Sequence, residues 1–359
     1  MRRESGLDTA AKLGWSSIDL EHVRPDPALL PPLEDAVAAG ARARWRPVDE
    51  QDGITPRLLA AVTPTWPYPA ADWTVAGSGA DGFRLACHAV ARAGDVVAVA
   101  EPTDPLILET LRDLRIRIVP VTCDHEGPEP ASLAEALARR PVAFVHQPRV
   151  AVPTGLSVSR ERLAGLAASL DGLTVLEYDA LGPLSAASPM SLGTLLPDVL
   201  HVRSYCHAYG PELRSGVVAG PAWLVERVRR LRALDTTWTG RILQDTQAFL
   251  IDDPDTGALL RQARTRYAAR RAALAAALRA EDIVVHTTDG LGLWVPVADE
   301  IRALMSLAAQ GVSVAAGSRY HSRPPAGQHV YVTIGLLPDD PGLAITLAGL
   351  IAAAARGRP

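Results

Sequence analysis

Titratable side chains cluster at the predicted ends of two consecutive strands. Glu177 and Asp179 stand two residues apart, so they share one face of a strand end. Tyr205 and His207 follow the next predicted strand with the same spacing. A histidine among carboxylates and a phenol suits general acid/base catalysis. A structural histidine and an acid that caps the following turn would show the same spacing, so both interpretations stay open.

A glycine-containing turn offers a second chemistry, the binding of an anion. Ser78-Gly79-Ala80 separates a predicted strand (72–76) from a predicted helix (81–93). Backbone amides at a helix N-terminus favour a phosphate or carboxylate. An ordinary strand-to-helix turn has the same composition, so the turn alone does not establish an anion site.

Lysine is almost absent from the chain. Of the 36 basic residues, Lys12 is the single lysine and all the others are arginine. A preference for arginine most simply reflects genome composition. It nevertheless excludes any mechanism that needs a lysine amine in the body of the protein.

The elements that must position these groups alternate in type. Apolar runs that predict strands lie at 95–100, 116–121, 142–146, 173–177 and 199–204, and helical patterns lie at 81–93, 105–114 and 159–170. Strands that are apolar on both faces indicate a mainly parallel sheet covered by helices. Ligands of such sheets bind beyond the carboxyl ends of the strands, where the titratable groups lie.

The pattern divides the chain into three regions. Residues 1–50 form a Pro-rich N-terminal segment, residues 51–240 a large α/β domain and residues 241–359 a small α+β domain. Around and within the third region, helices are predicted at 221–234, 259–280, 298–310 and 344–355, and strands at 283–286, 291–297 and 330–334.

Composition and charge argue against several classes of partner. A net charge of −4 without a basic stripe argues against nucleic acid. No apolar run reaches the roughly 18–20 residues of a membrane span. The three cysteines lack metal-ligand spacing and fit reduced thiols in a cytoplasm. We therefore expect a cytoplasmic protein with a small-molecule substrate and no metal site.

Six segments occur in the order of a known family. They are the strand and Ser-Gly-Ala turn at 75–80, the Gly-Asp strand at 94–97, the Pro-containing loop at 101–105, a Pro-Thr-Gly segment at 147–155, the acidic strand end at 177–180 and the Ser-to-Gly segment at 204–216. In this order they resemble the fold-type I pyridoxal-phosphate (PLP) aminotransferases. In particular, the chain is similar to the aminotransferase-like domain of MocR-type regulators, and we expect it to lack their DNA-binding domain.

The resemblance implies an architecture, a cofactor site and an assembly. The fold would be of aminotransferase fold type I: a mainly parallel central sheet sandwiched by helices, plus a smaller α+β C-terminal domain. A homodimer is implied, with the N-terminal segment helping to close each site. Asp179 or Glu177 would be available to a pyridine nitrogen. The residues similar to the family's phosphate cup are Ser78, Gly79, Ala80, Ser204 and Arg214.

The chain departs from the family where the chemistry takes place. His207 occupies the position of the lysine that forms the Schiff base with the cofactor. Imidazole exchanges protons near neutral pH but cannot form that bond. Tyr331 stands where an arginine normally binds the substrate carboxylate, and Asp104 replaces a loop aromatic. With Tyr209, these two residues are the predicted substrate contacts. Other departures are Val152, in place of an asparagine, and Ala180, near the position of a tyrosine.

Asp81 follows the cup turn where the family commonly has a neutral glutamine. A carboxylate close to a phosphate costs electrostatic energy unless it is paired. One hypothesis is therefore that Asp81 pairs with Arg214 across an empty cup and replaces the phosphate internally.

Three functions remain compatible with this pattern. The favoured one is a divergent enzyme that does not perform ordinary transamination, with His207-centred acid/base chemistry on a small metabolite. In that enzyme PLP is absent or bound non-covalently, and Asp179, Glu177 and Tyr205 assist His207. A second is a lyase or dehydratase that uses non-covalent PLP or pyridoxamine phosphate (PMP) with His207 as base, for which the lysine-less sugar 3-dehydratases of this fold are a precedent. The third is a non-catalytic protein that senses a ligand or binds a partner.

Overall fold

The strands form two separate sheets. The computed structural model describes residues 18–43, 53–234 and 239–357. Its strands are β1 (Ile18–Leu20), β2 (Asp72–Ala76), β3 (Val96–Glu101), β4 (Arg117–Asp124), β5 (Gly127–Pro128), β6 (Ala143–His146), β7 (Thr174–Asp179), β8 (Val199–Ser204), β9 (Gly216–Gly220), β10 (Gly292–Val297), β11 (Val312–Ala316) and β12 (Gln328–Thr333). The large sheet has the order β2-β9-β8-β7-β6-β3-β4-β5. Strands β4, β3, β6, β7 and β8 are parallel, which confirms the predicted fold class.

Helices cover both faces of the large sheet because its strands are apolar on both faces. The helices of this part are α1 (Glu34–Arg42), α2 (Pro56–Val62), α3 (Gly79–Val90), α4 (Pro105–Asp113), α5 (Pro130–Leu137), α6 (Arg160–Leu170), α7 (Cys206–Tyr209) and α8 (Ala222–Ala233). One core packs α3, α4 and α8 against the sheet. A second core packs α5 and α6 against the opposite face. The carboxyl ends of β6, β7 and β8 therefore meet at one edge.

The small sheet joins the beginning of the described chain to its end. Its order is β1-β11-β12-β10, and β1 pairs in parallel with β11 through Ile18 and Val312. The remaining helices are α9 (Arg241–Asp252), α10 (Pro254–Ala280), α11 (Glu300–Ala309) and α12 (Pro341–Ala355). The long α10 packs against α12, whose apolar side chains share its core. The N-terminal segment thus supplies an edge strand to the C-terminal sheet.

Two local predictions in the C-terminal half are wrong. The strand expected at 283–286 is absent, because these residues leave α10 without pairing to a described strand and Val284 is 52% exposed. The long helix begins at Pro254 rather than at 259, because Asp253 caps it by accepting a hydrogen bond from the amide of Thr256. An apolar run of four residues does not by itself distinguish a strand from a buried loop.

The described ranges contain neither a candidate membrane span nor a candidate metal cluster. No helix there is both long and apolar enough to cross a lipid bilayer. In the same ranges, no three His, Cys, Asp or Glu side chains gather as a possible metal site. Lys12 lies outside the described residues.

Candidate active site

His207 lies on the short helix α7, immediately beyond the carboxyl end of β8. Its Nδ1 is 3.2 Å from the carbonyl oxygen of Ala180. Because a carbonyl can only accept, Nδ1 carries the proton and Nε2 keeps a free lone pair. Burial lowers the pKa of His207, although the bond to Ala180 opposes this shift. The side chain is therefore a neutral imidazole with one basic nitrogen.

His207 faces a cavity of about 280 Å³, which we call the histidine cavity. Its wall includes His207, Asp104, Val152, Ala180, Tyr320 and Tyr331. The segment after β1 closes one side, where Glu21 pairs with Arg319 at 3.1 Å. The cavity thus lies between the two sheets and brings together three residues predicted from the sequence: His207, Asp104 and Tyr331.

Asp104 contributes a carboxyl group that is not paired with a cation among the described residues. Its Oδ1 caps α4 by accepting a hydrogen bond from the amide of Leu106 at 2.9 Å. Burial raises the pKa of Asp104, and the charge of Glu109 adds to this effect. The carboxyl of Asp104, with its raised pKa, and the neutral imidazole of His207 line the same cavity. The carboxyl can exchange a proton, and the imidazole can accept one.

Tyr331 is buried beside Tyr320, with ring centroids 5.3 Å apart. A Cβ added at Gly292 would lie 2.5 Å from the Tyr331 hydroxyl, so only glycine fits below this ring. Burial raises the pKa of Tyr331, which keeps it a neutral donor. Tyr320 was missed at the sequence level because it lies on a 3-10 turn outside every matched segment.

Glu177 lies outside the histidine cavity, on the opposite face of β7 from Tyr178. It is fully buried and accepts hydrogen bonds from His146 at 3.2 Å, from His201 at 2.8 Å and from the amide of Leu192 at 2.7 Å. Burial alone would raise its pKa, but the bonds from His146 and His201 lower it to about 2. Glu177 is therefore an ionised acceptor whose oxygens are already occupied.

Asp179 lies on the same face and is held by two arginines. Arg149 donates to both carboxylate oxygens, at 3.1 and 2.7 Å, and Arg203 donates through Nε at 2.9 Å. Burial opposes ionisation, but the charge of Arg149 holds the pKa of Asp179 well below its usual range. Arg149 was missed at the sequence level, although its place directly after β6, the neighbour of β7, is a signal that predicts this contact.

Tyr205 and Tyr209 are one helical turn apart and do not line the histidine cavity. Their rings stack with centroids 6.1 Å apart and planes at 10°. They border a second cavity of about 340 Å³, which we call the arginine cavity. Its polar wall includes Arg149, Arg203, Arg264, Tyr205 and Tyr209. Of the predicted site residues, Tyr205 and Tyr209 thus line the arginine cavity, whereas His207, Asp104 and Tyr331 line the histidine cavity.

The residues of the predicted phosphate cup contact one another. Ser78 Oγ caps α3 by accepting a hydrogen bond from the amide of Asp81 at 3.0 Å. A Cβ added at Gly79 would clash with Cβ of Ser204, whose Oγ accepts from the amide of Cys206 at 3.4 Å. Ala80 follows in the first turn of α3 and is partly buried. The cup residues are not part of the described wall of the histidine cavity.

The expected pair between Asp81 and Arg214 does not form. Asp81 lies in the first turn of α3, so its carboxylate reaches the amide of Gly77 at 3.0 Å and Arg84 at 3.3 Å instead. Arg214 is exposed, with a left-handed backbone at φ 37°, and pairs with no acid among the described residues. The hypothesis of an internal substitute for phosphate is therefore wrong.

Comparison with known proteins identifies the family. Residues 57–328 match the family model for aminotransferase class I and II. The vitamin B6 salvage pathway transcriptional repressor PtsJ of Salmonella typhimurium is 31% identical over 332 residues, covering 89% of this chain and 76% of the repressor. The transcriptional regulator TauR of Rhodobacter capsulatus is 29% identical over 219 residues, covering 59% of this chain and 44% of TauR.

Solved structures give the same fold. The kynurenine aminotransferase of Pyrococcus horikoshii superposes with a TM-score of 0.83 at 19% identity, covering 98% of this chain and 95% of that chain. LysN, the α-aminoadipate aminotransferase of Thermus thermophilus, has a TM-score of 0.82 at 18% identity, covering 96% and 95%. The chain belongs to the aminotransferase class I and II family, whose fold type I enzymes depend on PLP.

The residues present do not fit that cofactor in the family's pose. His207, which the resemblance places at the Schiff-base position, has no amine, and the two acids of β7 are engaged by arginines and histidines. A pyridine nitrogen and an aldehyde would each lack their usual partner. The site therefore does not support covalent PLP chemistry in that pose.

Proposed function

We propose that the chain binds a small polar metabolite non-covalently in the histidine cavity, with His207 as the general base. The observation that carries this proposal is the fixed tautomer of His207, whose Nδ1 donates to Ala180 and whose side chain faces the cavity. A hydroxyl or amino group of the metabolite would place its proton near Nε2. Asp104 would hold a second polar group, and Tyr331 would donate a hydrogen bond.

The test compares two variants that each replace one histidine by asparagine, one inside the histidine cavity and one outside it. Wild-type protein, His207→Asn and His125→Asn are incubated with a metabolite extract, and consumed and formed compounds are identified by mass spectrometry. His125 is exposed in the turn between β4 and β5, outside the cavity wall. Loss of conversion of roughly a hundredfold or more is expected only for His207→Asn. Equal conversion by all three proteins would contradict the role of His207.

Ligand sensing is a second candidate, and the two curated relatives favour it. PtsJ is named a transcriptional repressor and TauR a transcriptional regulator. A sensor would bind a compound from the same extract saturably and release it unchanged. Recovery of the bound compound after denaturation distinguishes sensing from turnover, because a substrate would be recovered partly as product.

The fold family supports a proposal about the assembly, and the engaged acids of β7 support one about the cofactor. Proteins of this fold are typically dimeric, and we propose a homodimer, which light scattering on the purified chain would show. We also propose a cytoplasmic protein without bound PLP. A non-covalent PLP or PMP enzyme, the alternative, would need a pyridine partner other than Asp179 or Glu177.

A further inference from the structure

We propose that the arginine cavity is a second binding site, for a small organic carboxylate, separate from the histidine cavity. It lies between the loop at 183–189, the end of α9 and the start of α10. The family's cofactor position, marked by His207, opens into the other cavity. The arginine cavity is therefore not used by the proposed acid/base chemistry in the histidine cavity.

The arginine cavity carries more positive than negative charge. Arg149 and Arg203 share the single carboxylate of Asp179. Arg264 donates to the neutral carbonyl oxygen of Pro183 and forms no ion pair within the described residues. Asp289 is nearby, but Oδ2 accepts from the 185–187 loop and Oδ1 accepts from an amide. An anion in the cavity would compensate the excess charge.

Two donors of the wall have no partner beyond each other. Arg203 is 1% exposed and Tyr205 is 2% exposed, and apart from the contact between these two side chains, Nη2 of Arg203 and the hydroxyl of Tyr205 have no hydrogen-bond partner in the described chain. An unsatisfied buried donor is costly, more so on a charged group. Both atoms are buried, so the wall must move slightly before one carboxylate can accept from both groups. Burial raises the pKa of Tyr205, so its hydroxyl stays protonated and able to donate.

The remaining wall selects an organic anion over an inorganic one. Ile251, Leu260 and Pro189 supply apolar surface to the same cavity. The volume of about 340 Å³ exceeds what a phosphate or sulfate ion fills. A carboxylate attached to a small ring or chain would contact the arginines at one end and the apolar wall at the other.

Calorimetric titration of the full chain with benzoate, phenylacetate and inorganic phosphate tests the ligand class. Saturable binding of benzoate or phenylacetate, tighter than that of phosphate, is expected. Absence of saturable binding of both carboxylates at millimolar concentration would overturn the proposal. Binding of phosphate as tight as that of the carboxylates would overturn the assignment to an organic anion.

Two variants and a matched control locate the site. Arg264→Gln should weaken carboxylate binding roughly tenfold or more, and Tyr205→Phe should weaken it by a smaller factor. Arg279→Gln removes the same charge from the exposed far end of α10 and should leave binding unchanged. Equal affinities for Arg264→Gln and Arg279→Gln would show that the cavity does not hold the anion. Tyr205→Phe keeps the test valid if the charge change disturbs folding.

Discussion

His207 combines a fixed tautomer with a depressed pKa, and both follow from its position at the end of β8. The Ala180 carbonyl holds Nδ1, while burial disfavours the imidazolium form. A family lysine at this position would carry a flexible amine. The imidazole instead offers one oriented lone pair, which supports proton transfer without a covalent cofactor bond.

The depressed pKa of His207 predicts a pH dependence of stability. Above the unfolded value of 6.5, both states are neutral and the residue contributes nothing. As pH falls below that value, the unfolded state binds the proton more readily, so the free energy of unfolding decreases. Between about pH 8 and about pH 5.5, wild-type protein should therefore lose more stability than His207→Asn. Urea denaturation at both pH values measures the difference, and an identical loss in the two proteins would contradict the depressed pKa.

Asp179 is expected to be essential for folding rather than available to a ligand. Asp179→Asn leaves two buried arginines without their carboxylate, which should cost about 3–5 kcal/mol in the free energy of unfolding. Asp124→Asn breaks a more exposed pair with Arg162, at 2.8 Å, and should cost about 1 kcal/mol or less. Denaturant titration compares the free energies of unfolding of the two variants. Equal losses would mean that the fold does not depend on the ion pairs of Asp179.

At the scale of elements, the change from strand to helix after β8 assigns nearby side chains to different cavities, because alternation by two residues ends where α7 begins. Arg203 and Tyr205 face the arginine cavity, whereas His207, on the first turn after the strand, faces the histidine cavity. The turn into α3 lies beside this strand end, and Gly79 contacts Ser204 directly. The close approach of these two segments fixes the geometry of the predicted phosphate cup.

Two glycine substitutions test that close approach. Gly79→Ala places a Cβ against Cβ of Ser204, closer than van der Waals contact allows, and should destabilise the protein by about 1–3 kcal/mol. Gly165→Ala, within α6 and with no atom within 4 Å of the added Cβ, should stabilise it by about 0.5–1 kcal/mol. Thermal unfolding of both variants shows whether each substitution raises or lowers the stability. Stabilisation by Gly79→Ala would show that the cup is more open than described.

For the whole molecule, sequence patterns predicted the parallel sheet and the main helices because buried strands and amphipathic helices have distinct periods. They did not predict that β1 joins the C-terminal sheet, since three residues carry too short a pattern. The family resemblance implied one site for His207, Asp104 and Tyr331, and the three residues line one cavity. The sequence could not show that Arg149 and Arg203 bind the carboxylate of Asp179, because side-chain pairing between strands depends on the register of the sheet.

The central claim is that this fold has a lysine-independent site that does not hold PLP in the family's manner. Titration of PLP into wild-type protein and His207→Lys, followed by borohydride reduction and mass spectrometry of the intact chain, tests it most directly. We predict no saturable change in PLP absorbance with wild-type protein. We also predict no adduct at position 207 in the variant, because the two acids of β7 remain engaged by arginines and histidines and cannot hold the pyridine nitrogen. Saturable binding by the wild type, or a stoichiometric adduct at that position in the variant, would contradict the account.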